Sequence, residues 1–166
     1  MRVFKPVLDY SERILTATCA MLLASMFVLG VMTVFFRFVI QTTITFPDEL
    51  IRYFFIWVIA LGAAVGIRRN MHAAIGVLVR VLPGTLERLA LLTASFCTAV
   101  FFAVLIDKGY HSVVLASEQV SPILEISMAW VYLAVPVGAL IGFVYTVELF
   151  VTQLLASSSE LVTDDH

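Results

Sequence analysis

The sequence predicts an all-α integral membrane protein with four transmembrane helices, and three observations carry that expectation. Of its 166 residues, 61% are hydrophobic and 13% charged, with a mean hydropathy of +1.04, whereas soluble domains are roughly half apolar and a quarter charged. The apolar residues fall into four long runs, each near the roughly 17 to 25 residues a helix needs to cross a bilayer. The charges collect between the runs, with basic residues biased to one side. Nearly all the chain is therefore one transmembrane domain, 1–155, followed by a short polar acidic tail, 156–166, expected to be disordered.

Residues 1–13 mix Arg2, Lys5, Asp9, Glu12 and Arg13 with Val3, Phe4, Val7, Leu8 and Tyr10, a short amphipathic segment suited to the membrane surface. Helix one follows from about Ile14 to Val39. Its uncharged stretch, Ile14 to Phe36, exceeds the roughly 7 to 15 residues of a signal-peptide core and precedes no cleavage site, so it reads as a retained span. Arg37 near its far end can reach across the short polar loop 41–46 to Asp48 or Glu49. So short a loop makes helices one and two antiparallel neighbours.

Helix two is the organising element. Pro47 suits a first helical turn because it has no N–H to lose, and Asp48 and Glu49 sit where the helix dipole favours carboxylates. From Tyr53 to Ile67 there is no charge, and Arg68 and Arg69 close the span. At about 100° per residue, Arg52, Ile59, Ala63 and Gly66 share one side with Gly62 beside them, while Trp57, Leu61, Arg68 and His72 share another. Gly62 and Gly66 form a small-xxx-small ridge, which lets a second helix approach closely. That helix belongs either to this chain or to a partner.

Residues 71–82 are apolar but too short to cross, which predicts an interfacial or re-entrant helix. Pro83-Gly84 marks a turn, helix three runs from about Leu89 to Ile106, and residues 110–125 read as a loop or a helical extension, broken at Ser121-Pro122. Helix four covers about Ile126 to Val147, with room to continue to Leu155, and has Trp130 and Tyr132 as interfacial aromatics and Pro136 as a bend. Gly138 and Gly142 repeat the small-residue spacing, so helices two and four are expected to pack together.

Arg2, Lys5, Arg13, Arg68, Arg69, Arg80 and Arg88 fall on one side of the membrane and only Arg37, Arg52 and Lys108 on the other. Basic loops stay inside, so both termini are expected in the cytoplasm.

The chemistry is sparse. His72, His111 and His166 lie at span ends or outside, which excludes an intramembrane haem. Every carboxylate lies toward an interface, so no deep acidic group can couple an ion gradient. Cys19 and Cys97 form no CxxC and read as small core residues, which argues against a metal site, a disulfide framework or a four-span redox factor. No cofactor, metal or nucleic-acid partner is expected, and no enzymatic activity. Glu49 and Arg52 form either a surface i, i+3 pair or a contact to a partner or lipid. Arg68, Arg69 and His72 are either ordinary inside charge or a contact to anionic lipid or a partner. A stand-alone homodimeric four-span exporter is the alternative, disfavoured because the first span lacks an embedded carboxylate.

The pattern Glu49-x-x-Arg52-Tyr53-x-Phe55-x-Trp57, continuing through Leu61-Gly62-Ala63-Ala64 to Arg68-x-x-x-His72, resembles the small membrane subunit of tripartite ATP-independent periplasmic (TRAP) transporters. Pro83, Trp130-x-Tyr132 and Pro136-Val137-Gly138 extend the resemblance over nearly the whole chain. It implies a bacterial inner-membrane protein paired with a larger subunit that holds the substrate and sodium sites and works by an elevator movement. A periplasmic binding protein would deliver an organic acid such as a C4-dicarboxylate or a sialic acid. Glu49, Arg52, Trp57, Arg68 and His72 carry over as motif positions without assigned roles.

Overall fold

The computed structural model describes the backbone of residues 4–79 and 84–161, and the side chains of residues 8–69, 86 and 89–154. Among the described residues five α-helices appear in order, α1 (Phe4–Phe35), α2 (Phe46–Val79), α3 (Gly84–Ala116), the short α4 (Ala129–Tyr132) and α5 (Ala134–Leu161), and a π-helical turn, Phe36–Ile40, extends α1. The stretches Leu8–Ile40, Phe46–Arg69, Leu89–Ala116 and Ala129–Leu154, of 33, 24, 28 and 26 residues, are each long and apolar enough to span. Among the described residues the only β pairing is an isolated antiparallel bridge between Val120 and Ser127.

The helices form a row in which α1 lies against α2, α2 against α5 and α5 against α3. Leu61, Ala64 and Val65 of α2 are buried with Ala134, Ala139 and Tyr145 of α5 and Phe102 of α3. No described side chain of α1 is fully buried. Its outer side exposes Met21, Phe27 and Val28, a surface that suits lipid and not water. The α2–α5 seam is close because of Gly138, where an added Cβ would lie 2.6 Å from the Ala60 carbonyl oxygen. At Gly142 a Cβ would come within 2.7 Å of the Phe102 ring, so the second glycine admits α3 instead.

Several boundaries differ from those expected. Residues 4–13 do not form a separate segment: helix α1 is continuous from Phe4, because Asp9 and Glu12 find partners on α2 (below), and residues 1–3 lie outside the described set. Helix α2 runs unbroken to Val79 through most of the stretch expected to be interfacial, and residues 80–83 lie outside the described set. Asp107 and Lys108 do not end α3, since they pair with each other at 3.0 Å on its exposed side and the helix continues to Ala116. The last span breaks at Leu133, between α4 and α5. Pro136 cannot donate to the Tyr132 carbonyl and its ring crowds that group, which accounts for the interruption there. Gly109 of α3 makes room for the Pro136 ring, 3.1 Å from where a Cβ would stand. Helix α5 passes residue 156 and reaches Leu161; residues 162–166 lie outside the described set.

Candidate functional site

Two polar clusters close the row, one at each end. The first forms where α2 begins. Pro47 is buried, Asp48 is exposed and Glu49 is turned inward, only 2% exposed. Its Oε1 accepts hydrogen bonds from the Ser121 and Tyr53 hydroxyls, and its Oε2 accepts one from the Leu124 N–H at 3.1 Å. Every partner is a donor and none is a cation, the environment of an ionised carboxylate satisfied by dipoles. The loop 117–128 is shaped to supply them. Ser121 N–H donates to Ile126 C=O and Met128 N–H to Gln119 C=O, both at 2.9 Å, and Glu125 adopts a left-handed conformation (φ 52°) at the turn. Glu49 thus fixes the α3–α4 connection onto α2.

Beside Glu49 a groove of about 500 Å³ opens between α2 and α4–α5, lined by Arg52, Ile56, Pro122, Val131, Tyr132 and Val135 among others. Arg52 is exposed and has no ion pair among the described residues. It does not pair with Glu49, whose oxygens are already occupied, nor does Arg37 reach Asp48 or Glu49. The Arg37 guanidinium instead lies 5.9 Å from the ring of its neighbour Phe38.

The second cluster lies at the opposite end and centres on Arg68. Its Nη2 meets Asp9, its Nε lies 3.0 Å from Glu12 Oε2 and its Nη1 3.1 Å from Glu148 Oε2. The guanidinium also sits 5.1 Å over the Tyr145 ring, whose hydroxyl is 2.8 Å from Ser11 Oγ. Arg69 adds a 2.6 Å contact to Glu12 and a longer one to Thr16. A planar fork with five donors can hold three carboxylates from two helices at once, which an ammonium could not do with fixed geometry. One side chain therefore ties α1, α2 and α5 together. Farther along, Ser95 Oγ bonds Gln153 Oε1 at 2.9 Å and joins α3 to α5.

The motif residues thus separate. Glu49 and Arg68 serve the chain's interior, Arg52 faces out, Trp57 is half-buried on α2, and the His72 side chain lies outside the described residues. The glycines separate too. Gly138 and Gly142 are filled by neighbours, whereas a Cβ at Gly62 or Gly66 would meet nothing within 4 Å. Sequence reasoning missed Asp9, Glu12 and Glu148 as partners of Arg68. The signal was present for two of them, since antiparallel helices joined by a short loop bring Asp9 and Glu12 level with Arg68 and Arg69. Ser121 gave none, because its role depends on how a distant loop folds back. Among the described residues no group of His, Cys, Asp and Glu could hold a metal ion, and the free Cys19 and Cys97 lie on α1 and α3.

Four helices long and apolar enough to span, clasped by polar clusters at both ends, define a polytopic membrane protein. The chain belongs to the DctQ-component family of tripartite ATP-independent periplasmic transporters, whose model matches residues 26–156. It is 32% identical over 98 residues to the C4-dicarboxylate TRAP transporter small permease protein DctQ of Rhodobacter capsulatus, covering 58% of this chain and 43% of that one. A putative TRAP transporter small permease protein of Haemophilus influenzae is 31% identical over 81 residues, 49% of this chain and 50% of that one. The DctQ protein of Vibrio cholerae is 26% identical over 108 residues, 65% and 47% respectively. The chain spans about half the length of the curated relatives it matches. It is a multi-pass inner-membrane protein of the TRAP small permease family, and the relatives it matches are named as TRAP transporter small permease proteins.

Proposed function

We propose that this chain is the stationary scaffold of a sodium-dependent symporter, carrying a large elevator-type membrane subunit during uptake of an organic acid. The acid, a C4-dicarboxylate, sialic acid or similar, arrives on a periplasmic binding protein. The observation that carries the reading is the unfilled small-residue face of α2. Gly62 and Gly66 have open space in front of them, and Phe55 and Ile59 beside them are 52% and 54% exposed. Helix association in lipid relies on close packing, so a glycine ridge left open in the monomer suits a helix from another subunit. In this reading the large subunit covers that face. Both termini and the Arg68 cluster lie in the cytoplasm, and the loop 117–128 faces the periplasm.

The test is co-purification of the large subunit through a tag on this chain, followed by uptake in liposomes under an inward sodium gradient. Gly66→Leu is expected to lower recovery of the large subunit while leaving this chain folded, because among the described residues nothing lies within 4 Å of where a Cβ at that position would stand. Transport is expected only when both subunits and the binding protein are present. Uptake by this chain alone, or unchanged recovery with Gly66→Leu, would refute the reading.

A further inference from the structure

We infer that the groove between α2 and α4–α5 is a binding site for a single phospholipid, its phosphate on Arg52 and an acyl chain along Ile56, Val131 and Val135. This goes beyond the scaffold reading and rests on different residues from the glycine face.

Three observations converge on that occupant. First, the groove is lined chiefly by apolar and aromatic side chains yet has a cation at its rim, and that cation is exposed with no ion pair among the described residues. The other charged lining residue, Glu49, is buried with its oxygens engaged by Ser121, Tyr53 and Leu124, so it offers a ligand nothing. Second, the depth suits a headgroup. The span Phe46–Arg69 has 24 residues, about 36 Å at 1.5 Å per residue, so each end stands about 3 Å beyond a ~30 Å hydrocarbon core. Arg52, six residues into α2, has its Cα about 9 Å from that end, roughly 6 Å inside the core boundary. Helical side chains lean toward the N-terminus, so its stem carries the guanidinium back to the boundary it started from. Third, Trp130 and Tyr132 on α4 are 67% and 41% exposed beside the groove, and such aromatics sit at headgroup level.

A planar guanidinium grips phosphate by two parallel hydrogen bonds. Among the described residues Arg52 is the one cation lining the groove, so the phosphate is recognised and the rest of the headgroup is not. Phosphatidylethanolamine and phosphatidylglycerol are therefore expected to bind within about threefold of each other.

The experiment is native mass spectrometry of the purified full chain, delipidated in mild detergent and titrated with phosphatidylethanolamine. One tightly held lipid is expected. Arg52→Gln should weaken it about tenfold by removing the charge-assisted bonds, Val135→Trp should do the same by filling the groove, and Arg37→Gln, at the same end outside the groove, should change nothing. Glycerophosphate, which has the phosphate without chains, should not displace the lipid. Equal retention in wild type and Arg52→Gln overturns the inference. So does displacement by glycerophosphate, which would mark an anion site without a lipid groove. Loss of large-subunit recovery in Arg52→Gln with lipid retention intact would also overturn it and assign Arg52 to a protein contact. Because lipid is read on this chain alone, failure here is distinguishable from failure of the scaffold reading.

Discussion

Removing the Arg68 guanidinium should loosen α1 and α5 from α2. In Arg68→Met the apolar stem remains, but Asp9, Glu12 and Glu148 are left facing one another with only Arg69 nearby. The exposures set the magnitude. Arg68 is 15% exposed, Glu12 19% and Glu148 29%, so those two contacts behave as partly buried charged hydrogen bonds, about 1 kcal/mol each after discounting for solvent. Asp9 is 62% exposed and adds about 0.5 kcal/mol or less. The stacked Tyr145 ring adds about 0.5 kcal/mol. The expected loss is about 3 kcal/mol, measured as the shift in reversible unfolding in mixed micelles. Much of it is the cost of carboxylates left without a cation, so Glu148→Gln in the Arg68→Met background should restore about 1 kcal/mol, although the same change in wild type destabilises. A loss below about 0.5 kcal/mol in Arg68→Met, or no recovery in the double variant, would refute the argument that this arginine holds three helices.

At the other end, Glu49→Ala should release the loop 117–128, seen as several-fold faster hydrogen exchange at the Leu124 and Met128 amides with little change in the middle of α3; unchanged exchange would mean that the loop holds itself. Gly138→Ala should cost about 1 to 3 kcal/mol because its methyl meets the Ala60 backbone, while Gly62→Ala should be neutral in the isolated chain; equal effects would contradict the difference in packing. Reporter fusions after residues 80 and 160 should be cytoplasmic and one after residue 115 periplasmic, and a periplasmic signal at residue 80 would invert the proposed orientation.

What the sequence made legible follows from how each feature is encoded. Spans are written in composition over about 20 consecutive residues, a local signal, and all four emerge near their expected places. Boundaries were harder because charges were taken as stops. A helix does not end at a charge that finds a partner or reaches the interface, so α1 starts at Phe4 despite Asp9 and Glu12, and α3 passes Asp107 and Lys108. Pro136 shows the opposite case. It acts on the backbone itself, so its effect is readable from the sequence and falls within a few residues of the expected bend.

The polar clusters were the least legible part, and the reason is a feature of membrane proteins generally. In lipid, helices gain nothing by hiding apolar faces from one another, so the amphipathic stripe that locates a soluble core is absent here. What fixes the helices is close approach and a few polar ties. Close approach can be guessed from glycine spacing, but the spacing does not say which ridge is filled within the chain: Gly62 and Gly66 have the same pattern as Gly138 and Gly142 with the opposite environment. The ties are pairwise and distant, with Arg68 binding residues 59 and 80 positions away and Glu49 binding one 72 positions away. Such pairs are constrained only after the helix order is known. Glu49 and Arg52 illustrate the result: three residues apart on α2, they suggested either an i, i+3 pair or a contact to a partner or lipid, yet the first turns inward to hold a loop and the second is exposed with no ion pair among the described residues. The carboxylate could turn inward because Ser121, Tyr53 and the Leu124 amide satisfy it without a cation, and that is what leaves the arginine free.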